Sequence, residues 1–216
     1  LAIILAAVLV ATSSYAALSA ARSPRAGAGA VGLSISSITP TTGTSAGGTT
    51  VRINGTLLSS VTGVKFGSTT ASFTYVAPPP PQRPAGKPAP RILPPSGYLN
   101  ATAPAGTPGA AVHITVTDGT TTSSTSSADL FTYDALAPAA PTITSASSAD
   151  GGIAVAWTDG ATNGSSIISH TLRAYDGASL AATKTNCSSS PCTISGLTNG
   201  TSYTVTVTAT NGVGES

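Results

Sequence analysis

Apolar side chains recur at every second position through a series of short runs: Val51 and Ile53; Val61, Val64 and Phe66; Phe73 and Tyr75; Val112, Ile114 and Val116. Turn-forming stretches separate them: Pro40-Thr41-Thr42-Gly43, Ala46-Gly47-Gly48, Asn54-Gly55 and Phe66-Gly67-Ser68. A period of two places alternate side chains on opposite faces of a strand. Strands broken by Gly, Pro and Asn predict an antiparallel β-sandwich. Further strands are predicted over 97–103, 111–117 and 130–133, with His113, Thr115 and Thr117 on the outer face of the second. The pattern starts again at Pro141. It predicts strands at 141–143, at 152–157 with Ile153, Val155 and Trp157 inward, and at 167–175. Residues 193–197 then lead into a strand over 201–210, where Tyr203, Val205, Val207 and Ala209 alternate with threonines.

Several of these residues carry a family resemblance. Ile38-Thr39-Pro40 with Gly43, Gly47-Gly48-Thr49-Thr50-Val51, Ile53-Asn54-Gly55, Val64-Lys65-Phe66-Gly67 and Phe131-Thr132-Tyr133 make residues 33–134 resemble an IPT/TIG domain. Trp157, Leu197, Asn199-Gly200-Thr201 with Tyr203, and Ala209-Thr210-Asn211 make residues 141–216 resemble a fibronectin type III domain. The resemblance implies two tandem immunoglobulin-like sandwiches. It also implies structural roles for Val51, Phe66, Trp157, Leu197 and Tyr203, with the Tyr203 hydroxyl returning to backbone near Leu197. The second domain is read as lacking its last strand, which leaves the 201–210 strand as an open edge.

The remaining segments are linkers or export signals by composition. Residues 1–11 are unbroken apolar sequence, too short to cross a bilayer, which needs roughly 20 apolar residues. With Ser14-Tyr15-Ala16 behind it, residues 1–20 read as the remnant of a secretory signal; the alternative is the end of a membrane anchor. The chain has no Met, so its true start is expected upstream. Residues 21–32 and 135–140 read as linkers. Residues 77–96 hold nine prolines and three cations (Arg83, Lys87, Arg91), and proline lacks the amide that a sheet ladder requires. This stretch is expected as a solvated loop insertion. A proline-recognising groove or an anionic surface as its partner is the sharper reading.

Composition narrows the function. Charged residues make up 7% of the 216 and net charge is +2, which gives no electrostatic footprint for nucleic acid. Cys187 and Cys192 are the only cysteines, with four residues between them. In an exported chain such a pair is expected to form a disulfide, with about 2 kcal/mol of stabilisation on the chain-entropy model; two free thiols are the alternative.

Candidate chemistry is thin. Gly27, Gly29 and Gly32 match a dinucleotide fingerprint by letters, but no strand precedes them and no helix follows. Gly43 with Gly47-Gly48 lacks the Lys and Ser/Thr of a phosphate loop and reads as a turn. His113 and His170 have no acid nearby in sequence, so they read as solvent-facing or structural rather than as triad members. Asp118, Asp129, Asp134, Asp150, Asp159 and Asp176 stand singly, each explained as a turn residue. Asn54, Asn100, Asn163, Asn186 and Asn199 each begin a glycosylation sequon. No catalytic residue, cofactor or metal site is expected.

The expected role is a non-catalytic spacer or adhesive stalk of a larger exported protein, secreted or on a cell surface, with bacterial origin suggested by the Ala/Thr/Gly bias. The alternative is an accessory region of a secreted polysaccharide-degrading enzyme. Expected partners are other domains of the same polypeptide and protein or polysaccharide ligands. No nucleic acid is expected, and the membrane is met only through the export segment. Direct sugar binding would require an exposed aromatic such as Tyr75 or Tyr98.

Overall fold

The structure, a computed structural model, describes residues 32–79 and 97–216. Residues 1–20, read above as a signal remnant, most of the 21–32 stretch and most of the Pro-rich insertion lie outside the described residues. Within them the chain is all-β, with two 3₁₀ turns at Leu58–Ser60 and Ser127–Asp129. Among the described residues no helix is long and apolar enough to cross a membrane.

The first sandwich opens with β1 (Ser34–Thr39), β2 (Thr42–Gly43), β3 (Thr50–Thr56), β4 (Gly63–Phe66) and β5 (Thr69–Ala71). It continues with β6 (Phe73–Val76), β7 (Tyr98–Thr102), β8 (Ala111–Thr117) and β9 (Leu130–Tyr133). One sheet has the order β1-β3-β7-β6 and the other β2-β9-β8-β4-β5, with β2 parallel to β9. Alternation puts Val51, Ile53, Leu99, Val64, Ile114, Val116 and Phe131 between the sheets, all fully buried. Phe131 forms edge-to-face contacts with Phe66 at 5.2 Å and with Tyr133 at 5.3 Å between ring centroids, a geometry that suits the ring quadrupoles. The glycine turn between β2 and β3 has a steric reason. Gly47 and Gly48 have φ of 85° and 87°, and a Cβ on Gly47 would lie 2.7 Å from the Ala105 amide nitrogen.

The second sandwich consists of β10 (Thr142–Ala149), β11 (Gly152–Thr158), β12 (Ser169–Asp176), β13 (Ser179–Cys187), β14 (Cys192–Ser195) and β15 (Thr204–Thr210). Its sheets are β10-β11-β14 and β13-β12-β15. Val155, Leu172, Ala174 and Ile194 are fully buried between them, with Trp157, Leu197 and Val207 at the margin of the core.

Several elements differ from the sequence reading. The first strand of this module is longer than 141–143, because Ser and Ala at 145–149 pair with 152–156 despite lacking an apolar face. The nine-residue β13 was not foreseen: SLAATKTNC has almost no buried position, so its strand state rests on pairing with β12 rather than on alternation. Residues 193–197 do not run on toward β15. Cys192–Ser195 is a separate strand paired with β11. The final strand begins at Thr204, since 198–203 form a turn. The β15 edge is not wholly open either: Glu215 bridges back to Thr210 and the Ser216 amide donates to the Ala209 carbonyl at 2.9 Å.

Edge strands carry the irregularities. Pairing of β1 with β3, of β10 with β11 and of β13 with β12 is interrupted by bulges. In each case the extra residue sits on the edge strand. A bulge twists an edge and spoils it as a template for another chain. Phe131→Ala should destabilise the first sandwich by about 3–5 kcal/mol, because it empties a fully buried site and removes two aromatic contacts. Chemical denaturation followed by the Trp157 signal of the second sandwich should be little changed.

Candidate functional site

The connection between the sandwiches is built almost entirely from backbone and carboxamide groups. Residues 135–140 are not a free tether. The Leu136 amide donates to the Asn163 carbonyl at 3.0 Å, and the Ala139 amide to the Ala161 carbonyl at 2.8 Å. The Asn163 carboxamide returns the contact, donating to the Ala137 carbonyl at 2.8 Å. Asn163 has φ of 52°, a left-handed conformation that Asn tolerates better than most residues.

Asn211 closes this joint from the other side and is buried. Its Nδ2 donates to the carbonyls of Leu136 (2.8 Å), Thr162 (3.2 Å) and Ser165 (3.3 Å). Its Oδ1 accepts from the amides of Val213 (2.8 Å) and Gly214 (3.1 Å). One carboxamide thus links the interdomain segment, the 161–165 turn and the return after β15, with both its donor and acceptor ends occupied. Across the joint, Gly109 of the first sandwich lies against Gly164 of the second. A Cβ on Gly109 would fall 2.4 Å from the Gly164 Cα, and both residues have positive φ. The Gly109 amide is itself tied to the last strand of the first sandwich through the Tyr133 carbonyl at 3.0 Å.

Neither histidine has an acid nearby in sequence, yet the fold forms two Asp–His pairs, which correct the reading that turns alone explain Asp129 and Asp159. The partners are distant in sequence and meet only through the fold. Asp129 is fully buried; its Oδ1 lies 2.6 Å from His113 Nδ1, and its Oδ2 accepts from the Ser126 amide at 2.7 Å in a capping box. Asp159 Oδ1 lies 2.7 Å from His170 Nε2 and 3.1 Å from Trp157 Nε1. His170 is buried against the Trp157 ring, 4.8 Å between centroids. Each histidine is thus held by one acid; His113 stays half-exposed, while the buried His170 also has its Nδ1 3.3 Å from the Cys187 carbonyl. Among the described residues no group of three metal-ligating side chains occurs.

Cys187 and Cys192 are joined in a disulfide that links the end of β13 to the start of β14, and so one sheet of the second sandwich to the other. The Ser190 hydroxyl, inside that loop, accepts from the Trp157 amide at 2.8 Å. The Tyr203 hydroxyl accepts from the Thr198 amide at 3.1 Å, next to Leu197. Val51 and Phe66 lie in the first core. Burial raises the pKa of Tyr133, whose hydroxyl donates to the Pro104 carbonyl at 3.0 Å. Of the sequon asparagines, Asn54, Asn163 and Asn199 have their carboxamides hydrogen-bonded within the fold.

The return after β15 also has an electrostatic fastening. Glu215 accepts from the Thr208 hydroxyl and from Arg173 Nη2, and these bonds hold its carboxyl below the usual glutamate range. A carboxyl lowered in the folded state stabilises above its unfolded pKa, and that contribution is lost as pH falls through the folded value. The melting temperatures of the native chain and of Glu215→Gln should therefore differ at neutral pH and converge in acid. Because the pair is exposed, the gap should be small.

The sequence matches two domain families, the IPT/TIG domain over residues 33–79 and the fibronectin type III domain over residues 136–216. No curated protein matches it. Similar solved structures include titin domains A168–A170, at 14% identity and a TM-score of 0.35, covering 88% of this chain and 59% of that one. The chicken CNTN1 FN1–FN3 domains are similar at 15% identity and a TM-score of 0.33, covering 84% and 63%. The full extracellular region of plexin A4, domains 1 to 10, is similar at 19% identity and a TM-score of 0.32, covering 78% and 13%. The chain thus spans less than two thirds of the length of each.

Proposed function

From a chain that carries an IPT/TIG domain followed by a fibronectin type III domain, we propose a non-catalytic structural or adhesive module, a spacer or stalk within a larger exported protein. The observation that carries this reading is the joint. A tether meant only to connect would leave its backbone in water. Here the backbone of 136–139 is hydrogen-bonded to the second sandwich, and Asn211 locks it there. Such a connection transmits orientation, which is what a spacer supplies, and loops at the far ends of the sandwiches become display sites at fixed separation.

Exposure to an oxidising compartment fits the Cys187–Cys192 disulfide. Secretion or cell-surface attachment follows as the proposed location. Other domains of the same polypeptide, and protein or polysaccharide ligands, are the proposed partners.

Backbone relaxation by NMR tests the proposal. Amides of both sandwiches should report one rotational correlation time. In Asn211→Ala, which leaves three carbonyls and two amides without their partner, and in Gly164→Ala, whose new Cβ would lie 2.5 Å from the Gly109 Cα, the two sandwiches should tumble separately. Separate tumbling of the native chain would defeat the spacer reading.

A further inference from the structure

The outer face of the β1-β3-β7-β6 sheet carries the most preorganised exposed cation among the described residues. Arg52 projects from β3 between Thr39 of β1 and Asn100 of β7, its direct cross-strand neighbours. Its guanidinium carbon sits 3.8 Å from the centroid of the Tyr98 ring. Its Nε donates to Asn54 Oδ1 at 3.1 Å, and Asn54 Nδ2 in turn donates to the Ser37 hydroxyl at 3.0 Å. Stacking and a hydrogen-bonded relay therefore fix the plane of the guanidinium. Its two terminal nitrogens make no hydrogen bond and no ion pair among the described residues.

Most surface arginines are floppy, and ordering them opposes binding. This one is ordered before any ligand arrives, and the fork it presents matches the two oxygens of a carboxylate. No acid competes for it. All seven acidic residues of the chain lie at position 118 or later, so none belongs to β1, β3, β6 or β7. Next to Arg52, on the same face, Thr50, Thr74, Asn100 and Thr102 border a shallow depression of about 320 Å³. That volume is at the low end of the roughly 300–1,000 Å³ of ligand sites. Beside Ser72 and Phe73, its rim offers threonine hydroxyls and a carboxamide, donors and acceptors of the kind that pair with sugar hydroxyls.

We propose that this face binds an acidic polysaccharide through a uronate residue, with the Arg52 fork on the carboxylate and Asn100 with the neighbouring threonines on the ring hydroxyls. Tyr98 and Asn54 are positioning residues that hold the fork. The proposal is independent of the joint and of the spacer reading, since the side-chain hydrogen bonds and stacking that hold Arg52 share no residue with the hydrogen bonds of Asn163 and Asn211 at the joint.

Affinity electrophoresis of the full chain in gels containing polygalacturonate, or the same polymer fully methyl-esterified, tests it. The native chain should be retarded by the acid form and not by the ester. Arg52→Gln should weaken retardation about tenfold or more, the scale of one charge-assisted fork. Arg52→Lys should weaken it too, because charge without the planar fork is not enough. Lys65→Gln, which removes an equal charge from the other sheet, should leave it unchanged. Unaltered melting temperatures of these surface variants would show that the fold is kept. Retardation equal in acid and ester, absent in both, or lost equally with Lys65→Gln would overturn the proposal.

Discussion

A strand with threonine on one face and valine or isoleucine on the other has one way to take its apolar side out of water, against the apolar face of a second sheet. That constraint governs both halves of this chain. In β8 the fully buried Ile114 and Val116 alternate with the outward-facing His113, Thr115 and Thr117, and in β15 the buried Val207 and Ala209 alternate with Thr206 and Thr208. Threonine suits the outer face because its β-branch favours the extended backbone and its hydroxyl keeps the surface wet without charge. A chain with so few ionic side chains can therefore stay polar outside and dry inside.

The same scarcity of charge shapes the interior. Where a polar group is buried, its partner is a backbone group, a hydroxyl or a carboxamide more often than an ion. The Asn211 carboxamide and the Tyr203 hydroxyl both serve backbone. The buried Asp129 is matched with His113, and the buried His170 with the exposed Asp159. No buried side-chain nitrogen or oxygen among the described residues lacks a partner, as a well-specified core requires.

Much of this was legible in the letters. Alternating apolar runs and glycine turns disclose strands such as β3, β8, β9 and β11, and Trp157 and Tyr203 disclose the second module. What stayed hidden depended on distance in sequence. β13 has no apolar face to betray it, because its partner β12 supplies the reason for its shape. Asp129 and His113 are separated by 16 positions and Asp159 and His170 by 11, so linear proximity gave no cue. The contact between Gly109 and Gly164, two turn glycines of different modules, has no sequence signature at all. Nor has the Arg52–Tyr98 stack, which exists only because β3 and β7 are neighbours.

The disulfide has a mechanical corollary. Cys187 and Cys192 are five positions apart, so their bond hides only about 10–15 Å of extended chain from a pulling force. Oxidation would therefore alter how firmly the second sandwich resists rupture while scarcely changing how far its thread pays out afterwards. A fastener of this span sets the strength of a link and leaves its reach almost untouched.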